Sequence, residues 1–292
     1  MKASLPFVSV IVPTYHDWKR LQKCLDALHK QTYPEHSIEV IVVNNDPDDR
    51  PPDCFVLTDN QRVVSESKVG SYAARNCGIT KAKGTIIAFT DSDCAPTPHW
   101  LEKAIPLLLL GHSRVGGHIQ LFSTSNSKLT ISESYEMLFA FNQQSLVTRG
   151  TAMTANLFVR RDVFDRVGVF NDRLLSGGDS DWGMRASKMG YDIVYNPDAI
   201  VEHPTRARVN ELFRKARRVT GSIRSVNNYG GKYTWLTRGF HPPIRKMASV
   251  MRATFMSLPR RIGVAALLYT LKLYQTLFRI LIYTKISTPR RS

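Results

Sequence analysis

Apolar and polar positions fall into alternating blocks over the first ninety residues. Phe7 to Val12 is a β-branched run closed by Pro13, the pattern of a buried strand. Past a loop at Thr14 to Asp17, Leu21, Cys24, Leu25 and Leu28 recur at helical spacing with charges between them. That predicts an amphipathic helix, and Pro34 bars its continuation. Glu39 to Asn44 predicts a second strand, and the Asn, Asp and Pro residues of 45–52 predict a loop. A short third strand is expected over 62–66. A helix is expected over 70–83, with Ala73, Ala74, Cys77 and Ile79 on its buried side and Gly84 at its end. Thr85 to Thr90 is a fourth strand. A helix over 99–111, mixed strands and helix over 114–170, and a strand within 191–201 running into Glu202-His203-Pro204 complete the body. The repeat of strand, loop, helix and strand predicts an α/β layered fold with a mostly parallel central sheet flanked by helices.

In such sheets ligands bind beyond the carboxyl ends of the strands. Three of those ends carry polar residues: Thr14-Tyr15, Asn44-Asn45-Asp46 and Asp91-Ser92-Asp93. Two acids one residue apart can turn both carboxylates toward one hard divalent ion, leaving positions free for a diphosphate. A solvated Asp-rich turn gives the same triplet. Gly177-Gly178-Asp179-Ser180-Asp181-Trp182 is a second constellation. Its glycines allow close backbone approach, and an Asp beside a Trp in a partly apolar pocket stays available as a proton acceptor. The bland alternative is a helix N-cap with Asp179 or Asp181 facing the helix dipole. His203, just past a strand, is either a metal ligand or an ordinary satisfied histidine.

Composition narrows the class. At 43% hydrophobic and 22% charged residues this is a folded chain. Four cysteines without a CxxC pair, and no His cluster at zinc spacing, point away from a disulfide framework or structural zinc and fit a reducing compartment. The opening run, broken by Pro6 and Pro13, reads as a strand and not as a signal peptide. The net charge of +16 is uneven. Residues 201–292 hold 19 Lys/Arg against Glu202 and Glu211, or +17, while residues 1–200 sum to −1. A boundary near residue 205 therefore divides a near-neutral body from a basic tail.

The segments SVIVPTY (9–15), VIVVNND (40–46), AARNCGI (73–79), IIAFTDSD (86–93) and GGDSDWGMR (177–185), followed by a strand leading to His203, occur in order. Together they closely resemble the family 2 glycosyltransferases of the GT-A fold, over roughly residues 7 to 205. The resemblance implies a Rossmann-like GT-A domain over 1–205 that transfers a sugar from a nucleotide-sugar donor with inversion. It implies a nucleotide-binding loop at Pro13, Thr14 and Tyr15, with Asn44 where the family often has a base-facing Asp. Arg75 falls at a nucleotide-contacting Arg. Asp91, Ser92 and Asp93 match the DxD element, and Asp93, His203 and Asp91 would hold a divalent cation, Mn2+ or Mg2+. Asp179 falls at the catalytic base, with Asp181 the base if the register shifts. Gly178, Asp181, Trp182, Arg185 and, more loosely, Asn156 would line the acceptor and sugar pocket. Two departures stand out: Asn44 replaces an acid, and Gly178 stands where many members have Glu.

The tail, 206–292, combines cations with an apolar stretch at 262–286. Lys272, Gln275, Thr276 and Arg279 share one helical face there, and two charges make a membrane span costly. A helix lying in the interface, cations toward lipid phosphates and flanked by Arg260, Arg261, Lys285, Arg290 and Arg291, fits better. A helix packed on the catalytic domain is the alternative. Arg214, Lys215, Arg217 and Arg218 could face an acceptor's phosphate or the lipid surface. The expected partners are a UDP-, GDP- or dTDP-linked sugar, a glycan or lipid-linked acceptor of surface polysaccharide or glycolipid synthesis, and an anionic membrane. The expected location is cytoplasmic, peripheral at the inner face of the cell membrane. Nucleic acid is not expected, because the basic tail carries no zinc-finger or RNP1-like pattern. Nucleic-acid binding through the tail, or an inactive GT-A binding module, are the competing classes.

Overall fold

The computed structural model describes residues 5–124, 128–221 and 239–284. Eight strands form one sheet: β1 (Val8–Thr14), β2 (Ile38–Asn44), β3 (Gln61–Ser65), β4 (Ile86–Phe89), β5 (Ala95–Pro96), β6 (Arg114–Phe122), β7 (Leu157–Arg160) and β8 (Val194–Pro204). Their order is β3-β2-β1-β4-β7-β6-β8-β5. Strands β3, β2, β1 and β4 run parallel. β7 is antiparallel to both β4 and β6, and β5 is antiparallel to β8. The sheet is thus mixed, and its parallel half is the part the apolar blocks foretell. β1 and β2 are buried at every position, which is why they read as continuous apolar runs without alternation.

The chain divides into two compact units. The first comprises residues 1–120, 141–173 and 178–203, and the second residues 121–140, 174–177 and 204–292. The second unit therefore draws on two internal segments besides the tail, which the charge boundary at 205 does not suggest.

In the first unit, α1 (Trp18–His29) buries Trp18, Leu21, Cys24, Leu25 and Leu28, as its spacing demands. α2 (Ser71–Lys81) ends three residues before Gly84; Ala73, Ala74 and Ile79 are buried as expected, and Tyr72, Arg75 and Gly78 are buried besides. Cys77 is half-buried, while Gly78 is buried against β1. A Cβ on Gly78 would lie 2.5 Å from Cγ2 of Ile11, so only glycine allows this helix to approach the strand so closely. α3 (Trp100–Leu109) packs Trp100 on Phe158 of β7.

In the second unit, α4 (Ile131–Phe139) starts with a capping box between Thr130 and Glu133. The short α5 (Gln143–Val147), α6 (Arg161–Val167) and α7 (Gly178–Lys188) belong to the first unit; α8 (Val209–Thr220), α9 (Ile244–Arg252) and α10 (Leu258–Tyr283) belong to the second. α10 packs against α4, α8 and α9 through Val264, Ala265, Leu267, Leu268 and Leu271. Among the described residues, α10 alone is long and apolar enough to cross a membrane by length and composition. Its polar stripe is not its solvent face. Thr276 is buried, and the Lys272 ammonium donates to the His241 carbonyl at 2.6 Å. Ile262, Leu277 and Leu281 are exposed instead. Pairing of the polar groups within the unit explains the reversal. Lys285, Arg290 and Arg291 lie outside the described residues.

Candidate active site

The parallel strands deliver their carboxyl ends to one edge, and the loops there are tied to each other. Asn44 donates from Nδ2 to the carbonyls of Asp46 and Asp49, both at 2.7 Å, and its Oδ1 accepts from the Asp46 N–H. An Asp here could make neither donation, which accounts for the amide. These bonds shape the loop. Asn45 likewise donates to the carbonyls of Glu66 and Lys68 and accepts from the Gly70 N–H. Pro13 and Thr14 are buried at the end of β1, and Thr14 Oγ1 has no partner there. Tyr15 is exposed, edge-on to His16, whose Nε2 lies 2.9 Å from Asp46 Oδ2.

The Asp-Ser-Asp turn after β4 splits its two acids between different partners. Asp91 Oδ1 accepts from Arg75 Nη2 at 2.5 Å, and Arg75 is buried. Arg75 therefore holds Asp91, while its buried Nε has no partner. Ser92 Oγ is 3.5 Å from Asp17 Oδ2. Asp93 faces the other way, with Oδ1 3.8 Å from His203 Nε2 and Oδ2 3.7 Å from Arg20 Nη1. The ligand atoms of Asp93, Cys94 and His203 all lie within 4.8 Å of one another. A carboxylate oxygen and an imidazole nitrogen this close fit a divalent cation. Asp91 is not in that group, because Arg75 has claimed its oxygen. Burial pushes the Cys94 thiol well above its ordinary value, and the Asp91 and Asp93 carboxylates add to the effect.

Asp179 opens α7. Its Oδ1 accepts from the Ser180 N–H at 2.8 Å and lies 3.4 Å from the Tyr72 hydroxyl. Although part of its surface reaches solvent, atoms crowd around the carboxyl, and this burial raises it above the ordinary Asp value. Arg75 opposes the rise without cancelling it. Position 178 explains its own departure. A Cβ on Gly178 would fall 2.7–2.8 Å from three ring atoms of Tyr72, so the aromatic ring stands where a larger side chain would begin. The Arg75 guanidinium lies 5.6 Å from the same ring. Tyr72 thus touches both charged centres.

Four expected pocket residues make contacts within the frame. Trp182 is fully buried, stacks on Phe164 and donates to the Gly168 carbonyl. Arg185 is committed to the carbonyls of Val167 and Val169 and to Asp181, which is its ion-pair partner at 3.3 Å. Asn156, fully buried, accepts from Trp100 Nε1 and donates to the carbonyls of His118 and Ala199. Their polar atoms are already paired within the protein. Residues the motifs did not single out, Asp17, Arg20, Tyr72 and Cys94, stand beside those they did. Three of them lie within four positions of a quoted motif, which is the only signal the sequence held.

The family model for glycosyl transferase family 2 matches residues 9–168. The chain belongs to glycosyl transferase family 2. Glycosyltransferase AglE of Haloferax volcanii is 37% identical over 270 residues, covering 87% of this chain and 88% of that protein. Two solved structures show the same GT-A fold. The mannosyltransferase PcManGT from Pyrobaculum calidifontis, in complex with GDP-Man and Mn2+, has a TM-score of 0.59 at 19% identity, covering 97% of this chain and 87% of that one. S. aureus TarS 1–349 has a TM-score of 0.51 at 17% identity, covering 97% and 93%. This family 2 protein is accordingly a glycosyltransferase with a mixed sheet and a helical C-terminal region.

Proposed function

We propose that this glycosyltransferase moves one sugar from a nucleotide-sugar donor to a hydroxyl of a glycan or lipid-linked acceptor, with inversion and with a divalent cation. The observation that carries the reading is the division of labour at one sheet edge. Asp93 faces His203, Asp91 is held by Arg75, and Asp179 has a carboxyl raised by burial. The GDP-Man and Mn2+ bound by a structural relative support a nucleotide sugar and a cation here.

Asp93 and His203 would hold the cation, which when bound offsets the negative charge that grows on the departing diphosphate. Asp179 takes the proton of the acceptor hydroxyl as that oxygen bonds to the anomeric carbon and the bond to the diphosphate breaks. A carboxyl raised by burial is a better proton acceptor near neutral pH than an ordinary one, and such assistance is worth about 10²–10⁴-fold. Tyr72 and the Ser180 N–H both engage Oδ1, leaving Oδ2 for the acceptor. Arg75 fixes Asp91 in a single orientation toward the donor.

The second unit is proposed to attach to an anionic membrane, at the inner face of the cell membrane. At the α9–α10 corner, Met251, Phe255, Leu258 and Ile262 are exposed among Arg245, Lys246 and Arg252. Apolar side chains interleaved with cations suit a lipid interface. Lys215 is unavailable for that surface, because it pairs with the buried Glu136 at 3.0 Å. A screen of UDP-, GDP- and dTDP-sugars with Mn2+ or Mg2+, scored by release of nucleoside diphosphate, identifies the donor. Unchanged turnover by Asp179→Asn, with donor binding intact, overturns the base assignment.

A further inference from the structure

Cys94 follows the Asp-Ser-Asp turn, and its backbone N–H is fixed to the Asp91 carbonyl at 3.0 Å. It is 2% exposed, His203 is 3% exposed, and both lie against the more open Asp93. We infer that Cys94 is a third protein ligand at the Asp93–His203 site, which therefore holds thiophilic divalent ions such as Zn2+ and Cd2+ more tightly than Mn2+ or Mg2+. This rests on the reading that Asp93 and His203 bind a cation.

The geometry is close to what such an ion requires. Tetrahedral zinc with nitrogen, oxygen and sulfur ligands at about 2.0–2.3 Å places neighbouring donors roughly 3.3–3.8 Å apart. Asp93 Oδ1 and His203 Nε2 are 3.8 Å apart, and no pair of the three donors exceeds 4.8 Å. Closure of about 1.5 Å at most completes three ligands, and the partly exposed Asp93 gives a fourth ligand access. On coordination the thiol proton passes to solvent and the sulfur binds as thiolate. A hard ion gains little from that sulfur, whereas a borderline or soft ion gains a ligand it prefers. An Asp93–His203 pair alone already favours Zn2+ over Mn2+, as first-row N/O sites do; the sulfur widens that gap and extends it to Cd2+.

The test uses the full-length protein with the more accessible Cys54 and Cys77 replaced by serine, stripped with a chelator and freed of it. Titration with Cd2+ should raise an ultraviolet thiolate-to-cadmium charge-transfer band that saturates at about one ion per chain. Cys94→Ser and Cys94→Ala should lose the band, with circular dichroism confirming the fold. Zn2+ affinity, measured by competition with a chromophoric chelator, should fall at least about tenfold in both, the low end for disturbing even an outer-shell partner. Mn2+ affinity, read from the free-ion resonance signal, should move less than about threefold. If Mn2+ binds but Cd2+ raises no band, or if the band survives both substitutions, Cys94 is not a ligand and the cation reading stands. If neither ion binds, with or without nucleoside diphosphate, both readings fall.

Discussion

Replacing Gly178 with alanine tests the packing that keeps a larger residue out of the base motif. The new Cβ would sit 2.7–2.8 Å from three atoms of the Tyr72 ring, against about 3.5–4.0 Å for a comfortable carbon contact. The ring has little room to move, since Tyr72 is 6% exposed with Phe170 and Arg75 against it. Overpacking of this kind costs about 1–3 kcal/mol. Alanine recovers up to about 1 kcal/mol over glycine in a helix. The net loss is therefore about 0–3 kcal/mol, at about 2–4 °C of midpoint per kcal/mol for a unit of 150–250 residues. With Tyr72→Ser in place the clash is gone and the same alanine should be neutral or stabilising. Calorimetric melts of the two single variants and the double variant form a cycle with a coupling of about 1–3 kcal/mol. Coupling below about 0.5 kcal/mol would show that the ring does not exclude the side chain, and the account of Gly178 would be wrong.

Further outcomes rest on other contacts. Because burial raises the Asp179 carboxyl, the native state holds its proton more tightly than the unfolded chain. The stability this provides is present below the ordinary Asp value of about 3.9 and is lost as pH rises through the raised one. Asp179→Asn should thus melt higher than wild type at neutral pH, with the gap shrinking toward pH ~4; a constant gap refutes the assignment. Burial pushes the Glu136 carboxyl up, but Lys215 and Arg206 more than offset it and hold it below its ordinary value. Removing it in Glu136→Ala strands two cations and should cost the second unit about 3–5 kcal/mol in denaturant melts. The stability Glu136 adds is present above the ordinary Glu value and fades as pH falls through the lowered one, so the loss should narrow in acid. Phe255→Ser with Leu258→Ser, each side chain just over half exposed, should weaken flotation with anionic vesicles by about 1 kcal/mol apiece. Unchanged flotation removes that corner from the membrane face.

The parallel half of the sheet was legible because fully buried strands are written as unbroken β-branched runs. Of the strands beyond it, β8 was foretold within 191–201, whereas β5 and β7 have two and four residues, too few for a period. The motifs located Asp91, Asp93, Asp179 and His203 at one edge, yet gave no hint that Arg75 divides the first two acids. That partition depends on a contact across sixteen positions. Trp182 and Asn156 read as pocket residues since polar and aromatic groups near a motif resemble ligand contacts. The fold instead pairs their polar atoms with backbone carbonyls or a buried indole, a choice no local pattern records. The charge of the tail was misleading for Lys215 and Lys272, which complete hydrogen bonds inside their own unit.

Gly78 has a reach beyond its size. It lies one turn from Arg75 on α2, and the missing methyl lets that helix sit directly on Ile11 of the strand leading into Thr14. The position of a guanidinium in the proposed donor site is thus gauged by a hydrocarbon contact of the core. A side chain at 78 would displace α2 outward and carry Arg75 off Asp91. The proposed site thus has a hidden dependency: a residue that any map of its contacts would omit sets the spacing between α2 and β1 on which the Arg75–Asp91 pair rests.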